Sequence, residues 1–461
     1  MSVCEECFIN MNKEDISKII GEWASLVDEN CKIDPDFYSR YNVKRGLRNS
    51  DGTGVLVGLT EIGEVHGYII DEGEKKPDYG RLGYRGIDVE DIVSGFQKEG
   101  RFGFEEVCYL LLFGELPNEK SLGTFNSVMG RYRVLPEGFT EDMILKAPSM
   151  DIMNKLARSV LASYSYDSNP DDTSVGNMLR QSLELIARFP VMVAYGYQAK
   201  SHYYGNKSLY IHNPRPDLST AENILHLIRS DNQYTSTEAE LLDLVLVLHA
   251  EHGGGNNSAF ATRVVSSSGT DTYSAIAAAV GSLKGPKHGG ANLKVMSMIE
   301  NIKAAVSNWS DEEELSAYLA AILRKEAFDK SGLIYGMGHA VYTLSDPRCI
   351  LLKEKAQRLA RDTGRLDEFN LYESIERLSP RVFVREKGTG KDISANVDFY
   401  SGFVYSMLGI PPELYTPLFA VSRIVGWCAH RMEELAGVQR IIRPAYKSIV
   451  KGKKYTPLKE R

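Results

Sequence analysis

The sequence predicts a mainly α protein with a minor β element near residues 55–70. Three observations lead there. Apolar residues take helical spacing early, with Ile16, Ile19, Ile20 and Trp23 on one face of a run from Lys13 to Val27. From Phe104 to about Tyr204 the pattern is helix after helix, and the last third is again mostly helical. Only one section, Gly-rich and strand-prone, breaks this habit: Val55 to Leu59, then Val65 to Ile70, with turn residues between.

Size and composition bound the possibilities. With 461 residues the chain has room for two or three domains and a large core. Its composition, 43% apolar and 25% charged, is ordinary for a soluble globular protein. A net charge of −7 argues against nucleic-acid binding through overall basicity. No apolar run approaches the roughly 20 residues of a membrane span; the nearest, Leu241 to Leu248, is short and interrupted by Asp243. Met1 to Asn12 has neither the basic-then-apolar pattern of a secretory signal nor the Arg-richness of a transit peptide. Six scattered cysteines suit a reducing cytosol, so a cytoplasmic location is expected. The Cys4-Glu-Glu-Cys7 pair has half-zinc spacing, and no second pair completes it.

Taken in order, Val89 to Phe96 is an amphipathic run. Phe104 to Phe113 reads as a largely buried helix ended by Gly114 and stopped near Pro117. Leu179 to Ala187 and Val191 to Tyr197 read as two helices broken at Pro190. Asn213 to Ser219, with two prolines, is a loop. Thr235-Ser-Thr-Glu238 is a capping box that opens a helix with Leu241, Leu244, Val245 and Leu248 on one face. That helix is expected to deliver His249 and His252 near its end, before Gly253 to Gly255 break it. Ser274 to Leu283 is a helix of small residues stopped by Gly285-Pro286. Short loops follow at Leu333 to Tyr342 and Val384 to Asn396.

Five polar clusters carry the chemistry. Within Gly285-Pro-Lys-His288-Gly-Gly-Ala-Asn292, stiff backbone precedes the histidine and two glycines follow it, so a ligand can approach closely; a helix-capping turn would look the same. His249-x-x-His252 on one helix face permits metal binding, but no third ligand or glutamate sits at zincin spacing. His339, between Gly338 and Ala340, is followed by Arg348, whose planar fork suits a carboxylate or phosphate. Asp398 sits amid apolar and aromatic neighbours, where desolvation would make it a stronger base; a helix N-cap is the bland alternative. Arg423 lies in an otherwise apolar helix and must be paired. Arg440 and Arg443 near the C-terminus are equally consistent with a solvated face.

Together these clusters resemble the citrate synthase family. The matching pieces are HAEH, GPKHGGAN, GMGHAVY followed by DPR, NVDFYSG and the SRIVGW…RP tail, in family order and spacing. The upstream YRGIDVEDI and FEEVCYLLLFGELP segments are similar too, so the resemblance runs from about residue 50 to 445.

The resemblance implies condensation of acetyl-CoA with oxaloacetate, then hydrolysis of the citryl thioester, with no metal and no permanently bound cofactor. Asp398 would remove the methyl proton, His288 would hydrogen-bond the thioester oxygen, and His339 would polarise the ketone. His252, Arg348, Arg423 and Arg443 would hold the substrate carboxylates, Arg443 coming from the partner of a homodimer. A large domain (1–289 and 408–461) and a small one (290–407) would close over the site. The loop Ile334, Tyr335, Gly336, Met337 and Gly338 would meet the CoA adenine; Lys391 and Lys387 are basic loop residues, candidates for its phosphates or more simply parts of a solvated loop. The nearest rival is 2-methylcitrate synthase, which takes propionyl-CoA; a non-catalytic or metal-regulated binding protein on the same fold is the rival from another class. Lys284 where Trp often precedes Gly-Pro, the longer Gly253 to Gly255 loop, and Ala340 in place of an arginine depart from common family patterns.

Overall fold

The structure, a computed structural model, describes residues 13–30, 32–49, 52–71, 74–339, 341–388, 393–437 and 440–460. The chain divides into two compact units, Met1–Leu59 and Thr60–Arg461. In the first, helix Lys13–Asn30 covers the predicted run, followed by a short helix Asp36–Arg40. The expected strand Val55 to Leu59 does not form; Leu56 and Leu59 stay 85% and 88% exposed. Strand propensity reports fit to a paired, half-buried surface, and among the described residues no strand pairs with this segment. Cys4 and Cys7 lie outside the described residues.

The second unit opens with a three-stranded antiparallel sheet: β1 (Gly63–Asp71), β2 (Glu74–Tyr84) and β3 (Ile87–Asp88), in that order. β1 holds the predicted Val65 to Ile70 strand. β2 was not predicted, because Pro77 and two glycines dilute its pattern; pairing with β1 organises it, with a register shift between His66 and Tyr68. Two glycines let this hairpin touch the chain near residue 342. A Cβ at Gly67 would stand 2.7 Å from the Val341 carbonyl oxygen, and one at Gly80 2.1 Å from that of Ser345.

The rest is helical. Helix Val89–Lys98 is capped by Asp88, and helix Phe104–Phe113 ends as predicted on Gly114 at φ 83°. The latter's first amides are held from a distance: Asp243 accepts from Gly103 N at 2.7 Å and Phe104 N at 3.2 Å. The break expected at Pro190 is absent, and one helix runs Val175–Gly205 straight through it. Proline removes one hydrogen bond, but Ile186, Phe189, Val191 and Met192 are fully buried around it, and packing on both sides keeps the helix continuous. Helix Ser236–His249 starts on the predicted capping box and is buried almost all round from Leu241 onward, rather than on one face. Helix Tyr415–Ala436, with Trp427 wholly buried, runs through the core. The thiols of Cys108, Cys349 and Cys428 are buried and free. No described helix is long and apolar enough to cross a membrane.

Candidate active site

Helix Ser236–His249 ends three residues short of His252, so the two histidines do not share a helix face and the metal pair considered from their spacing does not form. His249 turns inward: its Nδ1 lies 2.9 Å from the Val245 carbonyl oxygen, its ring packs on Phe419, and burial lowers its pKa to about 3. His252, in the following loop, faces His339 and Tyr342 with ring centroids 5.2 and 5.5 Å away. Burial, then Arg348, pushes its pKa well below the usual range. Its Nε2 is buried with no hydrogen-bond partner among the described residues.

His339 lies in the predicted loop. Its Nδ1 accepts from the backbone N–H groups of Val341 and Tyr342, both at 3.1 Å. A neutral imidazole that accepts on one nitrogen carries its proton on the other, so Nε2–H is the donor edge. Three residues on, Tyr342 stacks on the His339 ring at 4.8 Å and lies beneath the Arg348 guanidinium. Arg348 begins helix Pro347–Asp362 and is 4% exposed. Its Nε and Nη2 form a fork on Asp346 at 3.0 and 2.8 Å, and Asp346 also accepts from Val397 N at 3.2 Å. One carboxylate therefore ties Arg348 to the start of the helix that carries Asp398.

Asp398 is not the N-cap of helix Val397–Met407; Asn396 is, accepting from Asp398 N at 3.0 Å. The carboxylate is thereby free for other work. Asn396 also donates to the Gly338 oxygen at 3.0 Å, while Gly338 N donates to Ser394 O at 2.7 Å. These bonds stitch the Ile334 to Gly338 loop beside Asp398. Gly336 takes φ 79° there, and a Cβ on it would stand 2.8 Å from Phe399 and Val295. Desolvation lifts the half-buried Asp398 carboxyl to about 6 against the opposing pull of Arg348.

His288 sits on the predicted turn after helix Thr272–Lys284. Only glycine fits at 289, since a Cβ would come within 2.4 Å of the Leu283 oxygen, and Thr416 bonds the Gly289 carbonyl to the core helix at 2.9 Å. His288 Nε2 lies 3.0 Å from Ser258 Oγ, which also accepts from Trp427 Nε1 at 3.0 Å. Burial lowers the His288 pKa to about 4, so the ring is neutral at physiological pH.

Arg423, 1% exposed, donates from Nε to the His249 carbonyl at 2.6 Å, and its Nη1 has no partner among the described residues. Burial drops its pKa to about 10, opposed by the charge of Glu251. Its charge is felt at His252, His288 and Asp398, which marks it as the common neighbour of the cluster. Glu251 is fully buried and accepts from His430 Nε2 at 2.8 Å and Gly253 N at 2.5 Å. Gly63 and Gly426 make room for it, because a Cβ at 426 would stand 2.2 Å from its Oε2. Arg263 donates to His430 Nδ1 at 2.8 Å and pairs with Glu433 and Glu434. In the sequence Glu251 stands out only as the glutamate between His249 and His252, and His430 and Arg263 belong to no motif, yet one signal is present: Arg423 and His430 are seven apart on an apolar helix and share a face.

Thus His252, His288, His339, Arg348, Arg423 and Asp398 converge from across the chain. Arg443 does not join them; it is exposed in a non-helical segment. Lys391 lies outside the described residues, as does Ala340, and Lys387 donates instead to the Leu323 carbonyl at 2.9 Å. Within the loop, Tyr335 is held by Asp329 at 2.7 Å. The cluster offers two buried guanidinium groups, two histidines able to donate as neutral rings, and a carboxylate that can take a proton near neutrality. That set suits proton abstraction beside a carbonyl, with a polycarboxylate held alongside.

The family model described as "Citrate synthase, C-terminal domain" matches residues 50–445. The chain belongs to the citrate synthase family. It is 33% identical over 426 residues to the citrate synthase of Haloferax volcanii, covering 91% of this chain and 99% of that one. It is 31% identical over 385 residues to the 2-methylcitrate synthase of Shewanella oneidensis, covering 82% and 92%. Among solved structures, the ternary complex of Thermoplasma acidophilum citrate synthase with carboxymethyl coenzyme A and oxaloacetate superposes with a TM-score of 0.72 at 26% identity, covering 91% of this chain and 99% of that one. The mainly helical, two-domain citrate synthase fold predicted from the sequence is the fold observed, with its minor sheet confined to residues 63–88.

Proposed function

We propose that this protein is a citrate synthase, an acyltransferase that condenses acetyl-CoA with oxaloacetate and hydrolyses the citryl thioester to citrate and CoA. Arg348 and Arg423, with His252 and the Arg443 of a partner subunit, hold the oxaloacetate carboxylates; guanidinium forks match that geometry. Asp398, with its pKa near 6, takes a methyl proton from acetyl-CoA. His288 donates from Nδ1 to the thioester oxygen as enol character develops. Ser258 Oγ donates to Asn256 Oδ1 at 2.9 Å in the structure; the role of His288 asks Ser258 to spend that single proton on His288 Nε2 instead, with Asn256 turning its amide N–H toward the Ser258 oxygen. The nucleophilic carbon then attacks the ketone of oxaloacetate, and His339 gives its Nε2 proton to the new alkoxide. Water finally cleaves the thioester, releasing CoA.

A large domain (1–289, 408–461) and a small domain (290–407) close over oxaloacetate before the thioester is committed, which protects it from water. The Ile334 to Gly338 loop meets the CoA adenine. The enzyme works as a cytoplasmic homodimer, with acetyl-CoA as co-substrate and no resident cofactor. The observation that carries this reading is the meeting of a raised-pKa carboxylate, neutral histidines and two buried arginines in one cluster. The Shewanella relative supports a second substrate, propionyl-CoA, since a single methylene discriminates by only about 1–3 kcal/mol. Thiol release with oxaloacetate tests both: fast release with acetyl-CoA is expected, a clear propionyl-CoA preference reassigns the substrate, and no release with either from folded protein refutes the enzyme.

A further inference from the structure

Away from this cleft, a cavity of about 220 Å3 opens between helices Val89–Lys98, Ser236–His249 and Pro347–Asp362, beside the Gly100 to Phe102 turn. Its floor is apolar, with Phe96, Leu241, Leu244 and Leu359 buried. Its polar wall is unevenly charged. Lys355 and Arg358 face it from one helix, with no ion-pair partner among the described residues. Arg101 faces it from the turn; although held by Glu99 and Glu106, its Nη1 is buried without a partner among the described residues. Two carboxylates also line it, each hydrogen-bonded within the protein. Asp243 accepts the amides of Gly103 and Phe104, and Glu240 accepts from the Ser236 hydroxyl at 2.8 Å.

Lys355 and Arg358 over an apolar floor, with the spare Nη1 of Arg101 beside them, recognise a negative group carried on an apolar body. The volume lies below the roughly 300–1,000 Å3 of pockets for drug-sized ligands, so the occupant is fragment-sized. We propose that this cavity is a binding site for a small organic anion, a phosphate or carboxylate on a ring or short chain. Two of its wall helices also end at the cleft. The Ser236 helix leads into His249 and His252, and Pro347–Asp362 begins with Arg348. An anion bridging Arg101 to Lys355 and Arg358 therefore ties the Gly100 to Phe102 turn to the helix that presents Arg348, and so shifts oxaloacetate affinity; this last step alone rests on the functional reading above.

Calorimetric titration of the full chain with phenyl phosphate tests the site, with inorganic phosphate, phenol and benzoate as parallel arms. Phenyl phosphate should bind once per chain, about tenfold tighter than inorganic phosphate or phenol, and lose at least about tenfold in the double variant Lys355→Ala, Arg358→Ala. It should still bind with oxaloacetate saturating, and should change the oxaloacetate KM at least about twofold in wild type but not in the double variant. Benzoate binding in place of phenyl phosphate keeps the site and assigns a carboxylate. No binding of either probe, equal affinity in the folded double variant, or simple displacement by oxaloacetate overturns the proposal. Binding in a protein that shows no turnover leaves the cavity standing and removes only the functional reading.

Discussion

Asp346 and Arg348, two residues apart, are locked by a buried two-pronged contact in which Asp346 Oδ2 also receives the Val397 amide. The carboxylate thus aims the guanidinium and anchors the first turn of the helix bearing Asp398. Asp346→Asn keeps the shape but loses the charge. Oxaloacetate KM should rise about 10- to 100-fold, more than kcat falls, since a charge-assisted pair is worth roughly 1.5–3 kcal/mol. Steady-state kinetics with oxaloacetate varied decide this, and an unchanged KM would mean Arg348 is positioned by its own packing.

Asp398→Asn should cut kcat by about 10²–10⁴ with oxaloacetate affinity within a few-fold of wild type, because the base is gone while the arginines stay. Near-normal turnover would remove Asp398 from the chemistry.

The same carboxyl sets the acid side of the pH profile. Its pKa of about 6 means that the ionised base is lost as pH falls through that value, so kcat/KM for acetyl-CoA should drop below pH 6. The sign for stability is the reverse. A carboxyl whose folded pKa is raised above its unfolded one favours folding most below the unfolded value, and that contribution fades as pH rises through about 6. Comparing denaturant midpoints of wild type and Asp398→Asn between pH 4 and 7 should therefore show the variant gaining relative to wild type as pH rises.

Glu251→Gln removes the buried carboxylate that pairs with His430 and whose charge opposes the desolvation of Arg423. Removing one partner of a buried charged pair typically costs about 3–5 kcal/mol, so a lower denaturation midpoint together with a raised oxaloacetate KM is expected. A loss of stability with oxaloacetate kinetics intact would make Glu251 a fold residue alone.

Gly80→Ala forces a methyl group into the Ser345 carbonyl, 2.1 Å from an ideal Cβ. The hairpin must then lift from the segment joining His339 to Arg348. Circular dichroism should stay near wild type while oxaloacetate KM rises about tenfold or more, as small misplacements at a site do. Wild-type kinetics would show that the hairpin does not position this loop.

Arg443 can be tested by mixing. Asp398→Asn and Arg443→Ala subunits are each impaired alone, but a heterodimer combining them contains one site with both residues intact if Arg443 crosses to the partner. Random reassortment should restore up to about a quarter of wild-type activity. Failure to recover activity, with heterodimers verified by mass spectrometry, would place Arg443 in its own subunit's chemistry or outside the reaction.

The sequence by itself determined what acts locally. The Thr235 capping box, the Gly114 stop, the Gly285-Pro286 break and the flanking glycines of His288 and His339 announce themselves within a few residues, because turn geometry and helix ends depend on neighbouring backbone. The candidate site residues were picked out by short motifs that resemble those of the citrate synthase family. Tertiary structure decided the rest. β2 exists because β1 pairs with it, and the Val175–Gly205 helix survives Pro190 because both of its flanks are buried. His430 meets Glu251 across 179 residues, and Val397 meets Asp346 across 51. No local pattern encodes such partners. Burial removes water from those groups and leaves each charge to find its counterpart wherever the fold brings one close.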